Sequence, residues 1–395
     1  MKKGWEVKKL SEVCKLINGR AYKKAELLDS GKYPVLRVGN FFTNRNWYYS
    51  DLELPVDKYC HTGDLLYAWS ASFGPRIWEG DKSIYHYHIW KVVPDDECVH
   101  RDYLFQFFEW DKDLIKNEQG TGTTMIHVGK GSMENRAIPV PPLAEQEVIV
   151  EVLDKAFAAI DQAKSNIEQN IANAKELFQS KLNQIFSQKG KGWVEKTLRD
   201  VIKVKHGFAF KSKFFTTEGE YVLLTPGNYF EEGGYRDRGD KQKFYDGEIP
   251  DGFILEEDDL LLAMTEQAAG LLGSPLLVPE SDRFLHNQRL GLIQHIDDQT
   301  LSNRFLFHAF NTQAFRDEIH HTGTGVKVRH TSPTKICDVT INVTSDKNTQ
   351  EDVVKTLETL KIQTESTVTH YQTKLASLDE LKKSILQKAF AGELT

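Results

Sequence analysis

The chain contains an internal duplication, and no other feature of its sequence restricts the possible folds as strongly. Residues 4–41 align without a gap with residues 192–229, and 14 of these 38 positions are identical in the two copies. The identical residues include the Gly-Trp pair that starts each copy and the glycines Gly19 and Gly207. Because a sequence repeat corresponds to a repeated structural unit, we expect two similar domains. The length of 395 residues is also more than one ordinary hydrophobic core organises.

The repeat continues towards the C-terminal end of each copy. The segment 64–68 corresponds to 259–263, and a Gly-Thr-Gly loop leads to His127 in the first copy and to His330 in the second at the same spacing. A long segment with helical periodicity follows each copy. We therefore predict four regions in the order globular, helical, globular, helical, which are 1–143, 144–191, 192–347 and 348–395.

Each globular region combines short β-rich runs with an amphipathic helix, which is typical of an α+β fold. Strands are expected at 35–38, 65–69 and 85–93 in the first copy, and at 221–224, 260–264 and 290–295 in the second. The helices are expected near 101–118 and 303–320.

Both long segments carry apolar residues at coiled-coil spacing. The stripe of the first segment contains Leu153, Phe157, Ile160, Ile167, Ile171, Ala174, Phe178 and Ile185. In the second segment, Leu357, Tyr371, Leu378 and Ile385 share one heptad position, Val353, Leu360 and Leu381 share another, and Thr364, Thr367 and Lys374 interrupt the seam. About 45 residues make a helix of about 65 Å. We expect the helices to pack antiparallel, because one leaves the first domain and the other returns from the second. The alternative is that each lies on its own domain.

Charge and cysteine content exclude several classes of protein. The net charge is -7, with +1 in region 1–143 and -6 in region 192–347, so any DNA binding must use local basic loops or positive charge from a partner. The four scattered cysteines form no CxxC pair, which argues against a zinc site or a disulfide framework. Neither a signal region nor an apolar run of about 18 residues occurs, so a cytoplasmic protein is expected.

Two motifs carry a family resemblance. The run Pro-Pro-Leu-Ala-Glu-Gln occupies 141–146, and Ala-Phe-Ala-Gly-Glu-Leu occupies 389–394. With the repeated Gly-Trp start, they resemble the specificity subunit of type I restriction–modification systems over essentially the whole chain. Two departures occur: residues 344–346 read Thr-Ser-Asp where the first copy has its Pro-Pro pair, and Ser11 follows Leu10 where the family often has glycine.

The resemblance implies a complete architecture and a set of partners. It implies two similar target recognition domains, separated by two long antiparallel coiled-coil helices with pseudo-twofold symmetry, which together bind one asymmetric, split double-stranded DNA site. The helices would set the spacing and dock two methyltransferase subunits, and motor–nuclease subunits would add cleavage. No cofactor is then expected on this chain, while S-adenosylmethionine, ATP and Mg are expected on the partner subunits, in a bacterial or archaeal cytoplasm.

The residues themselves show no convincing catalytic site. A self-contained adenine methyltransferase would need a motif such as Asp/Asn-Pro-Pro-aromatic, whereas Leu143 follows the Pro-Pro pair here. The run Gly-Lys-Gly-Ser at 129–132 lacks the spacing of a phosphate-binding loop. His86 and His88 could pack in a strand, contact bases or, with a third ligand, bind a metal. No catalytic or metal-binding residue is predicted.

Candidate DNA contacts follow from side-chain chemistry, because Arg suits guanine, Asn or Gln suits adenine, and Lys suits phosphate. In the first domain they are Arg20, Lys23, Arg37, Asn40, Trp69, Ser70, Arg76, His88 and Lys130. In the second they are Lys211, Thr225, Asn228, Tyr229, Thr265, Gln267, Gln288, Arg289, Lys327 and Arg329. The two asparagines could instead cap a turn. The alternative function for the whole chain is a coiled-coil scaffold that binds proteins without sequence-specific DNA recognition.

Overall fold

The computed structural model describes residues 2–70, 72–118, 127–190, 192–266, 270–296 and 301–395. The chain divides into two compact units. Unit 1 comprises Met1–Ile167 and Thr373–Thr395, and unit 2 comprises Glu168–Gln372. Each unit therefore contains one globular region, the first part of the long helix that follows it and the last part of the other long helix.

Unit 1 is built from short strands and a closing helix. Its elements are β1 (Glu6–Lys9), α1 (Leu10–Val13), β2 (Cys14–Asn18), β3 (Tyr33–Leu36), α2 (Val38–Thr43), β4 (Tyr48–Ser50), β5 (Tyr59–Cys60), β6 (Leu65–Ala68), β7 (Gly74–Ile77), β8 (Ser83–Tyr85), β9 (Ile89–Pro94), α3 (Arg101–Glu118), α4 (Lys130–Glu134), β10 (Ala137–Val140) and α5 (Leu143–Phe186), which continues into unit 2. The strands form sheets in the orders β2-β9-β6-β7, β4-β3-β8-β5 and β1-β10.

Unit 2 has the same order of main elements. They are β11 (Trp193–Thr197), β12 (Ile202–His206), β13 (Phe215–Thr216), β14 (Tyr221–Leu223), β15 (Phe244–Tyr245), β16 (Ile254–Leu255), β17 (Leu260–Ala263), β18 (Thr265–Glu266), β19 (Pro275–Leu277), β20 (Phe284–Leu285), β21 (Leu290–His295), α6 (Asn303–Phe310), α7 (Gln313–Thr322), β22 (Arg329–His330), α8 (Pro333–Cys337), β23 (Thr340–Thr344) and α9 (Lys347–Ala391), which continues into unit 1. The sheet orders are β12-β21-β17-β19, β13-β15-β14-β20-β16, β11-β23 and β18-β22. The first three repeat those of unit 1, apart from the extra strand β13.

Two predicted elements are interrupted in the structure. The expected strand 85–93 splits into β8 and β9, because residues 86–88 form a turn in which the Ile89 N–H donates to the His86 carbonyl at 2.9 Å. The expected helix 303–320 splits into α6 and α7, because the Thr312 side chain caps the start of α7 and accepts from the Phe315 N–H. Short-range periodicity cannot detect such breaks when the flanking residues keep the same apolar pattern.

The long helices pack antiparallel within each unit. In unit 1, residues 149–160 of α5 share a core with residues 378–390 of α9, so the start of one helix meets the end of the other. In unit 2, residues 182–186 of α5 share a core with residues 353–357 of α9. The apolar stripes thus form the predicted antiparallel contact between the two helices. Leu381 is an exception, since it is 46% exposed and lies off the seam to which its heptad position assigned it.

The ends of the long helices, which are similar in the two copies of the repeat, anchor them to the globular cores. Phe390 stacks on Trp110, with ring centroids 5.1 Å apart, and also contacts Tyr103 and Phe107. In unit 2, Phe186 contacts Trp193 and Phe305. The two phenylalanines are equivalent in the repeat, and each packs on the globular core that lies beside its own helix end.

A buried glutamine joins the start of each long helix to its globular region. Gln146 is fully buried, accepts from the His100 N–H at 2.9 Å and donates to the Pro141 carbonyl at 2.8 Å. Gln350 is 2% exposed, accepts from the Ser302 N–H at 2.9 Å and donates to the Thr344 carbonyl at 2.8 Å. The second copy therefore keeps this joint although it lacks the Pro-Pro pair.

No helix in the described part of the chain is long and apolar enough to cross a membrane.

Candidate nucleic-acid interface

The repeated glycine holds an equivalent turn in each unit. A Cβ on Gly19 would overlap the backbone oxygens of Tyr85 and His86, and a Cβ on Gly207 would overlap that of Asn287. Only glycine permits this approach of the two backbones. The close contact places the turns 86–88 and 287–289 at equivalent positions.

A matching hydrogen-bond framework lies next to each turn. The Trp69 N–H donates to the His88 carbonyl and the Val128 N–H donates to the Trp69 carbonyl, both at 3.0 Å. In unit 2, the Met264 N–H donates to the Arg289 carbonyl and the Thr331 N–H donates to the Met264 carbonyl, both at 2.9 Å.

An antiparallel bridge completes each framework: Ser70 pairs with His127, and Thr265 pairs with His330. We call Trp69, Ser70, His88 and His127 rim 1. We call Met264, Thr265, Arg289 and His330 rim 2. The backbones of the rims match, while the side chains differ at three of the four positions.

Rim 1 presents aromatic and imidazole groups. The Trp69 ring lies edge-on to His88, with centroids 4.8 Å apart, and 6.2 Å from His127. Tyr87 packs against both Trp69 and His88. Burial, with smaller contributions from the neighbouring His88 and from Arg37, lowers the pKa of His86 to about 4.

Burial and the nearby His127 also lower the pKa of His88. At neutral pH, uncharged imidazoles can donate and accept hydrogen bonds at base edges.

Around rim 2, the exposed side chains of the turn and the neighbouring hairpin are longer and polar, whereas Met264 is buried. Gln288 and Arg289 are exposed at the turn, and Thr265 is partly exposed. The segment 324–330, which we call the basic hairpin, closes with reciprocal hydrogen bonds between the backbones of Thr324 and His330 at 2.8 and 2.9 Å. Lys327 is exposed on this hairpin. These groups suit guanine, adenine and phosphate contacts.

Several candidates in unit 1 are engaged within the protein. Arg20 forms two hydrogen bonds with the Glu26 carboxylate at 2.8 and 3.0 Å, and these bonds lower the pKa of Glu26 to about 2. Arg37 lies over the Tyr48 ring, 5.3 Å from its centroid.

Three other candidates in unit 1 do not belong to rim 1. Arg76 donates to the Phe41 carbonyl. Lys23 is exposed, and Lys130 is an exposed residue that pairs with Glu134 at 3.5 Å.

Four of the predicted DNA contacts have buried side chains that are not accessible to a ligand in this structure, namely Asn40, Ser70, Asn228 and Tyr229, at 3%, 5%, 1% and 1% exposure. Asn40 accepts from the Arg37 N–H at 2.7 Å and Asn228 accepts from the Thr225 N–H at 3.0 Å, so both asparagines cap a turn.

Three further candidates of unit 2 do not belong to rim 2. Thr225 also donates its hydroxyl to Asn228. Lys211 is exposed. Gln267 lies outside the described residues.

Sequence reasoning omitted two groups that the structure brings to the rims. Tyr87 lies in the aromatic cluster of rim 1, and Glu266 contacts Arg329 behind rim 2. His127 and His330 entered the sequence prediction only as residues that follow the Gly-Thr-Gly loops, although their repetition at identical spacing marks equivalent positions. Within the described ranges, no group of three or more His, Cys, Asp or Glu side chains could hold a metal ion.

Comparison with known proteins places this duplicated α+β architecture in a family. The family model described as the type I restriction modification DNA specificity domain matches residues 2–173 and 190–374. The chain therefore belongs to the family of type I restriction–modification specificity subunits, which supply DNA sequence recognition.

Three curated relatives are similar to this chain. The StySPI specificity subunit of Salmonella potsdam is 23% identical over 443 residues, covering 99% of this chain and 89% of the relative. The MjaVIII specificity subunit of Methanocaldococcus jannaschii is 24% identical over 334 residues, covering 80% and 76%. The EcoBI specificity subunit of Escherichia coli is 24% identical over 162 residues, covering 40% of this chain and 34% of that subunit.

Two solved structures share the fold. A chain from a structural study of complex assembly and conformational transition of the type I R-M system has a TM-score of 0.78 at 16% identity, covering 100% of this chain and 99% of that chain. The HsdS subunit from Thermoanaerobacter tengcongensis has a TM-score of 0.59 at 16% identity, covering 100% and 98%. These likenesses confirm the expected fold of two similar domains with long coiled-coil helices.

Proposed function

We propose that this chain is a non-catalytic DNA sequence-recognition subunit in which each unit recognises one half of a bipartite, asymmetric site. The observation that carries the proposal is the pair of rims. Their backbone frameworks are equivalent, so both can approach DNA in the same way, whereas their side chains differ. Rim 1 offers aromatic and imidazole groups, whereas rim 2 offers a hydroxyl, a guanidinium and an imidazole group beside the exposed amide of Gln288, so the two rims can select different base edges.

The long helices then act as a spacer and as a docking surface for two methyltransferase subunits. A helix of 44 or 45 residues is about 65 Å long, whereas half-sites one duplex turn apart are separated by about 34–36 Å. Helices of this length are sufficient to span such a separation. The docked subunits would also supply positive charge that this chain lacks, since the globular region of unit 2 is net negative.

The partner subunits would carry out the methylation and cleavage reactions. S-adenosylmethionine would bind to the methyltransferase subunits for adenine methylation, and ATP and Mg would bind to motor–nuclease subunits for restriction. The role of this chain is binding, because recognition energy from its two units would place the target adenines before the methyltransferases.

An exchange of one globular region tests the assignment of half-sites. The chain would be reconstituted with methyltransferase subunits, and methylated adenines would be mapped on genomic DNA. Replacing residues 192–347 by the corresponding region of another family member is expected to change one half of the methylated sequence and to preserve the other half and the spacing. The matched exchange of residues 1–143 should change the opposite half.

The two exchanges also separate this function from a protein scaffold. If both half-sites stayed the same after either exchange, the globular regions would not determine sequence. If the complex assembled but bound all duplexes equally, the scaffold alternative would hold.

A further inference from the structure

A buried carboxylate lies directly behind rim 2. Glu266 is 3% exposed on β18, which pairs with β22 so that Glu266 lies opposite Arg329. A buried charge is costly unless it is paired and hydrogen-bonded. The contacts of Glu266 therefore indicate what its charge is used for.

The two carboxylate oxygens of Glu266 have different partners. Oε2 accepts from the Gly270 N–H at 3.0 Å and from the Leu272 N–H at 2.9 Å. Oε1 lies 3.5 Å from Nη1 of Arg329 and 3.7 Å from Nδ1 of His320. One oxygen thus holds a backbone turn, and the other faces Arg329 and His320. The largely buried Arg316, which donates to the Gly270 carbonyl, is a further cation in the field of this carboxylate.

Arg329 is held from two sides. Its Nη2 donates to the His320 carbonyl, while its Nη1 faces Glu266 and lies 3.3 Å from Nδ1 of His320. The Arg329 side chain remains 34% exposed. A guanidinium group has five N–H donors in a rigid plane, so these contacts orient it and leave donors for another ligand.

The basic hairpin depends on the same residue. Arg329 and His330 form its return strand, and Gly325, at a φ of +109°, makes the tight bend that a side chain would obstruct. The surrounding sequence 319–337 contains Lys327, Arg329 and Lys335 and no Asp or Glu. This local positive charge stands out in a globular region with a net charge of -6.

The second copy of the repeat has both members of the Glu266–Arg329 ion pair, and the first copy has neither. In the repeat, Glu266 corresponds to Ala71 and Arg329 corresponds to Ile126. A carboxylate needed only to stabilise the shared framework would have a counterpart in both copies. The paired loss links Glu266 to Arg329 and to the feature in which the two rims differ.

We propose that Glu266 is a positioning residue for DNA recognition by unit 2, because it fixes the Arg329 guanidinium and the basic hairpin in the orientation that meets the DNA. The inference rests on the proposed function of the chain. Glu266 itself does not touch the DNA. It restricts the conformations of the Arg329 side chain before binding, so that less conformational entropy is lost when the DNA binds, which is the basis of preorganisation.

The substitution Glu266→Gln distinguishes the backbone contacts of Glu266 from its contact with Arg329. The glutamine oxygen can still accept from Gly270 and Leu272, whereas its amide would present N–H donors to Arg329. The control Glu256→Gln removes an equal charge from an exposed position of the same unit. A second variant, Arg329→Lys, keeps the charge and removes the planar fork.

Binding would be measured on the full chain reconstituted with its methyltransferase subunits. The probes are a duplex carrying the mapped methylation sequence and two duplexes in which either half-site is scrambled. Glu266→Gln is expected to reduce discrimination at the unit 2 half-site by about tenfold, the order of one lost base contact. Discrimination at the unit 1 half-site should not change, and Arg329→Lys should reproduce the effect if Glu266→Gln does not fold.

Other outcomes overturn the proposal. Unchanged discrimination in a folded Glu266→Gln or Arg329→Lys complex would leave Glu266 with a structural role only. An equal rise in affinity for all duplexes, matched by Glu256→Gln, would mean that the carboxylate merely repels DNA. If the wild-type complex did not distinguish the duplexes, the proposed function of the chain would fail first, and this inference with it.

Discussion

Acidification is expected to destabilise unit 2 through His308, a buried residue of α6. The side chain is 3% exposed. Burial, with a smaller contribution from Lys361, lowers the pKa of His308 from 6.5 to about 4. Between these two values the unfolded chain binds a proton at this position and the folded chain does not, so the free energy of unfolding falls as the pH decreases. The loss starts near the unfolded pKa of 6.5 and is complete below the folded pKa of about 4.

The size of the effect follows from the difference between the two pKa values. A difference of about 2.5 units at 1.36 kcal/mol per unit gives a total loss of about 3 kcal/mol. At pH 5, proton linkage gives a loss of about 2 kcal/mol relative to pH 8. Such a loss is a large fraction of the roughly 5–15 kcal/mol that stabilises a typical domain.

Urea unfolding at pH 8, 6 and 5, followed by far-ultraviolet circular dichroism, measures the effect. The variant His308→Leu removes the titrating group and keeps a similar volume in the core. It should lose about 2 kcal/mol less stability than the wild type between pH 8 and pH 5. The same replacement at the exposed residue His321 serves as the control. An identical pH dependence for His308→Leu and the wild type would refute the reasoning.

Three further predictions concern the packing within unit 1. Gly19→Ala should destabilise unit 1 by about 1–3 kcal/mol through steric overlap and should weaken binding to one half-site. The control Gly39→Ala, in which no atom lies within 4 Å of the added Cβ, should be nearly neutral. Thermal unfolding measures the stability of both variants, and duplex binding measures their affinity for DNA. Gln146→Leu should cost about 2–3 kcal/mol in urea unfolding because it leaves buried partners unsatisfied, and a loss below about 0.5 kcal/mol would contradict the proposed joint. Phe390→Ala should cost about 3–5 kcal/mol, against a small effect for the exposed Leu381→Ala, and equal losses would show that Phe390 is not part of the core.

The duplication and the long helices could be predicted from sequence because neighbouring residues encode them. Identity at 14 of 38 aligned positions requires no knowledge of the fold, and an apolar stripe is a periodic property of a single segment. The family motifs are also local, and the comparisons confirm the family and the fold that they implied. The exposure of Leu381 shows the limit of this approach, since heptad spacing identifies a face of a helix but not where its partner ends.

The candidate site depended on contacts that local patterns do not contain. Asn40 has the chemistry of an adenine contact, but it is buried as a turn cap. The turn at 86–88 exists because Gly19 brings a distant strand against it. Glu266 and Arg329 are 63 positions apart and meet only because β18 pairs with β22. Sequence alone therefore determined that two similar units and two long helices form, whereas the tertiary structure decided which side chains reach the rims, because burial and pairing depend on residues far apart in the chain.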